Sequence, residues 1–214
     1  MSAVCLTAFC LVGCASQTRK WYDPLALWTK GEKEGPEYEV ITNVDRIKAL
    51  RNLAKQASSL PPEEQQRATD ELCQALPKEQ DVLVRSEMLR TIAMFPSPRA
   101  EAMLKAGLRD ADQDVRIVCC AAWASRGGQE ANIVLCEMLT SDTDNDVRLA
   151  AARALGALKD PESVSALGLA LDDSNPAIQY RAIQSLKAIT GKKFETVKEW
   201  REYVHGERKD QPSV

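Results

Sequence analysis

A segment that recurs every 31 to 32 residues governs what this chain can fold into. Val84-Arg85 opens VRSEMLRTIAMF, Val115-Arg116 opens VRIVCCAAWAS, and Val147-Arg148 opens VRLAAARALGAL; a weaker copy begins at Ile178 in IQYRAIQSLKAI. Arg85 to Arg116 spans 31 positions, Arg116 to Arg148 spans 32, and Val147 to Ile178 spans 31. One such period holds a pair of short helices that cannot bury its apolar face alone, so each copy must stack on the next. The expected fold is all-α, an α-solenoid of stacked antiparallel helix hairpins with about ten helices. A stack of this kind places function on a surface rather than in a central pocket.

Local chemistry agrees with that reading. Ala, Leu, Glu, Arg and Lys dominate, aromatics are only 5%, and no useful stretch alternates like a strand. NVDRIKALRNLAKQASSL places Val44, Ile47, Leu50 and Leu53 or Ala54 on one helical face. Pro61-Pro62 stops that helix, and Pro62 then suits the first position of the next one, followed by an acidic first turn. FPSPRAE, RDADQD, SRGGQE, TSDTDND, KDPES and DDSNPA punctuate the rest. Asp114 and Asp146 stand immediately before a Val-Arg pair and are the expected helix caps. Val147, Ala151, Ala154, Leu155 and Leu158 make one stripe, and Val115, Cys119, Ala122 and Trp123 make the equivalent one. Small residues in these stripes let neighbouring helices approach closely.

The D-x-D-V-R opening, the A-x-x-A-L core and the step of about 31 residues resemble HEAT repeats, particularly the short bacterial type. The resemblance covers residues 62–190, with residues 43–60 as a capping helix. The fourth copy departs from it, with Gln179 in place of the arginine and Ala177 in place of the aspartate. ITGKKFETVKEWREYVHGE resembles the closing segment of such proteins: Gly191 ends one helix, and Phe194, Val197, Trp200 and Tyr203 or Val204 cover the open end of the stack.

The N-terminus reads as an address. MSAVCLTAFCLVGC is uncharged and mostly apolar, too short to span a bilayer as a helix, and of the length of a secretory h-region. Its last four residues, Leu11-Val12-Gly13-Cys14, resemble the lipobox of bacterial lipoproteins. That resemblance implies cleavage before Cys14, lipid attachment at Cys14, and sorting to the outer rather than the inner membrane, because Ala15 and Ser16 follow. It departs from the pattern in lacking a basic residue at the start and in its early cysteine. Residues 14–42 are then a lipidated N-terminus and tether, with Pro24, Gly31, Gly35 and Pro36. WYDPLALW within it is a segment to dock on the end of the solenoid, to lie at the membrane interface or to bind a partner, docking being favoured by its two tryptophans. The expected organisation is a signal peptide over 1–13, the tether over 14–42, the solenoid with caps over 43–205 and a polar tail over 206–214.

Catalytic signatures are missing. The sequence holds no GxxxxGK[ST], GxGxxG, GxSxG or HExxH, one histidine (His205), and no CxxC among its seven cysteines. An iron-dependent hydroxylase with HEAT-like repeats uses paired His-Glu motifs, which a single histidine cannot supply. No catalytic residue, metal or cofactor is expected. A net charge of −3 is a weak imbalance, so the totals favour neither nucleic acid nor an acidic partner. Cys73, Cys119, Cys120 and Cys136 read as buried thiols, with Cys119 and Cys136 within reach of one another across a hairpin.

The arginines are the candidate contact residues. The resemblance implies that the helix opened by Val-Arg lies on the concave side, where Arg85, Arg116 and Arg148 form a ladder. As struts they pair with connector aspartates (Asp81, Asp112, Asp114, Asp144, Asp146); as a binding strip they receive an acidic peptide, phosphate or polysaccharide. Arg90 and Arg153 have no acidic neighbours in sequence and are the better candidates for partner contact. The chain is expected to be a non-catalytic scaffold, held on a membrane by its lipid, presenting its concave face to a protein partner in the cell envelope. Its alternatives are a structural subunit of an envelope assembly and, if the N-terminus is no signal, a cytoplasmic lyase-like helper.

Overall fold

A computed structural model describes residues 42–210, with side chains through Gly206. Cys14, the apolar leader and WYDPLALW lie outside the described residues. Those residues form ten α-helices and no strand. In chain order the helices are α1 (Asn43–Gln56), α2 (Pro62–Ala75), α3 (Val82–Ile92), α4 (Pro98–Gly107), α5 (Gln113–Arg126), α6 (Gly128–Ser141), α7 (Asn145–Leu158), α8 (Val164–Leu169), α9 (Pro176–Thr190) and α10 (Val197–Asp210). The last continues past residue 205, where the sequence pattern ends its apolar stripe. Among the described residues no helix is long and apolar enough to cross a membrane.

The odd-numbered helices stack α1 on α3, α3 on α5, α5 on α7 and α7 on α9; in the even row α2 packs on α4, α6 on α8 and α8 on α10. The odd row packs more closely than the even row, which puts it on the inner side of the stack. One continuous apolar cluster runs from Leu50 to Val204 between the rows. Val84, Val115, Val147 and Ile178 open the odd helices and are fully buried, as are Ile92, Trp123, Leu155 and Leu186 eight residues further on. Burial of each such side chain is worth about 1.5–3 kcal/mol, and its partners come from its own hairpin and from neighbouring repeats, which share one cluster.

Close approach between odd helices has visible causes. A Cβ on Gly156 of α7 would lie 2.5 Å from Ser185 Oγ and 3.0 Å from Ser185 Cα on α9. With that space free, Ser185 Oγ donates to the Ala152 carbonyl across the interface at 2.7 Å. Thr91 does the same from α3 to the Leu50 carbonyl of α1 at 3.2 Å. At the C-terminal end Gly191 adopts the left-handed conformation (φ 68°) and terminates α9. Phe194 and Trp200 then meet edge to face at 4.9 Å, Tyr203 packs on both, and Trp200 is fully buried over the end of the stack.

Three local expectations need correction. The caps of α5 and α7 are Asp112 and Asp144, not Asp114 and Asp146. Asp114 and Asp146 already sit inside the first turn, and their own amides donate to the caps at 2.8 Å. Their charge still favours the positive helix end. Val44 is 59% exposed rather than on the buried stripe, because Ala49, Leu50 and Leu53 define the face of α1 that meets α3. Cys136 is only half buried, and the four described cysteines are free thiols.

Candidate functional site

The ladder arginines lie four residues after the N-cap of their helix, a position from which the side chain reaches both its own connector and the following one. Arg85 donates from Nε and one amino group to Asp110 at 3.1 and 3.2 Å. Arg116 grips Asp142 in the same way at 2.9 and 3.2 Å, and Arg148 grips Asp173 at 3.2 and 3.4 Å. The remaining amino group donates to carbonyls of the arginine's own connector. Its shorter contacts are Gln80 at 2.9 Å for Arg85, Asp110 at 2.9 Å for Arg116 and Asp142 at 3.0 Å for Arg148.

Each acceptor aspartate also holds the next repeat in place. Asp110 accepts from the Asp112 amide at 2.9 Å, Asp142 from the Asp144 amide at 2.8 Å, and Asp173 from the Asn175 amide at 2.8 Å. One carboxylate therefore ties the preceding repeat's arginine to the following repeat's helix start. These pairs are largely shielded, Arg116 and Asp142 keeping 14% and 7% of their side-chain surface. The hydrogen-bonded Asp142 carboxylate holds the Arg116 guanidinium above its ordinary value. A planar guanidinium fork suits this double acceptance, which a lysine cannot reproduce.

The ladder partners thus differ from the expected aspartates. Asp81, Asp112 and Asp144 are occupied as caps, accepting from amides of their own helices. The arginine instead crosses to the acid that stands six residues before the next ladder position. The ladder is also longer than the three arginines. Arg46 of α1 pairs with Glu79, and Gln179 of α9 keeps the connector contact by donating to the Asp173 carbonyl at 2.6 Å. Position relative to the cap would have found both, because each follows its cap by four residues, as Arg85 does.

A second set of side chains stands on the odd helices away from the ladder. Arg90 and Arg153 occupy the same register, five residues after the ladder position, and both are exposed. Contrary to expectation, Arg90 has an acidic neighbour: Glu87, only 6% exposed, meets Arg51 of α1 at 3.2 Å and Arg90 at 3.4 Å. An i,i+3 carboxylate one turn back on the same helix was the sequence signal. Arg153 has no ion pair or hydrogen bond among the described residues. Tyr180 on α9 is 61% exposed, while Ile117 and Leu149 at its register on α5 and α7 are half buried.

Other features are modest. Recesses of about 390 and 320 Å³ are lined by Gly128, Gln129 and Asp160 in one case and by the Arg148–Asp173 strut in the other. Burial pushes the Cys119 thiol well up, Cys120 up to about 12 and Cys136 up to about 11, so all three are held protonated at neutral pH. His205 is exposed on α10.

Paired helices in two rows, a continuous core and a repeating inter-repeat strut define an α-solenoid protein. The description "HEAT repeats" matches residues 69–150 and 134–199, more than half of the sequence, and the chain belongs to the HEAT-repeat family. No curated protein matches this sequence. Human deoxyhypusine hydroxylase, solved with glycerol, is similar in fold, with a TM-score of 0.51 and 23% identity over 58% of this chain and 44% of that one. The chain thus spans less than half the length of that enzyme, and the likeness is one of fold. An engineered protein aligns with a TM-score of 0.43 and 24% identity, covering 78% of this chain and 82% of its own.

Proposed function

We propose that this chain is a lipid-anchored, non-catalytic HEAT-repeat binding module that presents the inner face of its odd helices to a protein partner in the cell envelope. The observation that carries the reading is the division of labour among the arginines. Arg85, Arg116 and Arg148 are consumed as struts within the stack, whereas Arg153 and much of the surrounding inner face stay open to solvent. A rigid stack with an open face acts by concentrating and presenting a partner rather than by transforming it. The lipid anchor rests on Leu11-Val12-Gly13-Cys14, and acyl chains at Cys14 hold the module at a membrane by about 0.8 kcal/mol per buried methylene.

Mass spectrometry of the membrane-extracted protein, combined with crosslinked pull-down, tests the reading. The expected N-terminal peptide begins at an acylated Cys14, Cys14→Ser releases the protein or leaves the leader uncut, and a defined protein partner is recovered from membranes. An unmodified peptide that begins at Met1 sinks the anchor. Recovery of the chain without a protein partner, under conditions that retain the anchor, sinks the binding module.

A further inference from the structure

After the ladder position the odd helices contain a single carboxylate, Glu87, although the chain as a whole is acidic. Basic residues on the same helices include Lys48, Arg51, Arg90, Arg153, Arg181 and Lys187. The acidic residues therefore sit in connectors, even helices and the first turns of odd helices, and the odd helices beyond the ladder carry a net positive charge. That segregation favours an acidic partner.

One place on the face is specific. At the α1–α3 level, Arg51 (five residues after the ladder position) meets Glu87 (two residues after it) at 3.2 Å. The same two register positions at the α7–α9 level hold Arg153 and Arg181. The stack thus sets a second arginine where the earlier level sets a buried glutamate. Arg181 is half buried, and its Nε is shielded from solvent with no acceptor, while no carboxylate of the described residues pairs with either arginine. Two like charges at register positions that hold an ion pair one level away call for an anion, and a shielded unpartnered donor is costly to leave so. Leu149 and the exposed Tyr180 flank this position one residue before Ala150 and Arg181, giving it an apolar border.

We propose that Arg153 and Arg181 are the binding site for a carboxylate side chain of an acidic polypeptide segment lying along the inner face. Apolar side chains of that segment seat on Leu149 and Tyr180. This deepens the reading of the inner face as partner-binding and rests on it. A carboxylate is the favoured anion because a carboxylate, that of Glu87, is what meets Arg51 and Arg90 at the α1–α3 level. A polypeptide is favoured because Leu149 and the exposed Tyr180 stand next to the arginines, so one ligand must offer apolar groups beside its carboxylate.

The test is fluorescence anisotropy with the full chain and a short labelled peptide in which glutamates alternate with leucines. The wild type binds in a salt-sensitive way, and Arg153→Gln, at an exposed position, weakens binding roughly tenfold without moving the melting temperature. Arg181→Glu rebuilds with Arg153 the pair seen between Arg51 and Glu87, so it raises the melting temperature and abolishes peptide binding. Peptide affinity unchanged in both variants, or no binding by the wild type, overturns the proposal. Equal, variant-sensitive binding to phosphatidylglycerol vesicles without peptide binding assigns the site to a lipid headgroup and also overturns it. A native partner captured equally by wild type and Arg153→Gln removes this site while leaving the binding module intact.

Discussion

Arg116→Gln should destabilise the protein by about 2–4 kcal/mol, and the structure shows where that number comes from. A glutamine at this position can keep one connector contact, as Gln179 does with the Asp173 carbonyl at 2.6 Å. It cannot replace the fork to Asp142 at 2.9 and 3.2 Å. A hydrogen bond to a charged group contributes about 1.5–3 kcal/mol, and two sharing one carboxylate are not additive. Asp142 keeps 7% of its side-chain surface, so its charge is left shielded with one backbone amide as partner. Breaking a fully buried pair costs about 3–5 kcal/mol, and the 14% exposure of Arg116 brings the estimate down. Urea denaturation followed by circular dichroism reads the change as a lower midpoint at an unchanged slope. Asp142→Asn should cost a similar amount, with a coupling energy above about 1 kcal/mol in the double-mutant cycle, and Arg116→Lys should recover little. A loss below about 0.5 kcal/mol for Arg116→Gln, or additivity with Asp142→Asn, refutes the strut.

Trp123→Ala should cost about 3–5 kcal/mol in the same assay, since Trp123 is 2% exposed in the core; a loss under about 1 kcal/mol would place it outside the stack. Gly156→Ala should cost about 1–3 kcal/mol, because the new methyl meets Ser185 Oγ at 2.5 Å and the α9 backbone at 3.0 Å; a neutral result contradicts the close approach of α7 and α9. Lys159→Gly should raise stability by about 0.5 kcal/mol, because Lys159 holds a left-handed conformation (φ 55°) at the end of α7, and a loss of stability would contradict that backbone. The Cys120 thiol is raised from an ordinary 9.0 to about 12, so its stabilisation is complete below about pH 9 and lost as pH rises toward 12; urea melts on that alkaline limb should fall more steeply for wild type than for Cys120→Ala.

The fold was legible because the stack leaves a period in the sequence. Val84, Val115, Val147 and Ile178 must each be buried against the next repeat, so the apolar positions recur with the repeat length. Trp123 fell into the register of Leu155 and Leu186 for the same reason, and all three are buried. The pairing of the ladder was less legible, since proximity in sequence favours Asp114 for Arg116 whereas the fold brings up Asp142 from the next connector. Arg46 escaped because the first helix precedes the regular period, and only its distance from the Thr42 cap reveals its role. Arg153 stands out by the lack of acidic neighbours in sequence, and among the described residues it has no ion pair. Arg181 was missed because a single arginine in an atypical last repeat carries no periodic signal.

Site-specific photocrosslinking tests most directly whether function lies on the inner face. A photoreactive residue is placed at Tyr180 on α9 in one version of the full chain and at Ile133 on the even helix α6 in another, positions exposed to 61% and 53%. The account predicts a discrete crosslinked protein from Tyr180 in intact membranes, weakened by Arg153→Gln, and none from Ile133. A crosslink from Ile133 with none from Tyr180 would contradict it.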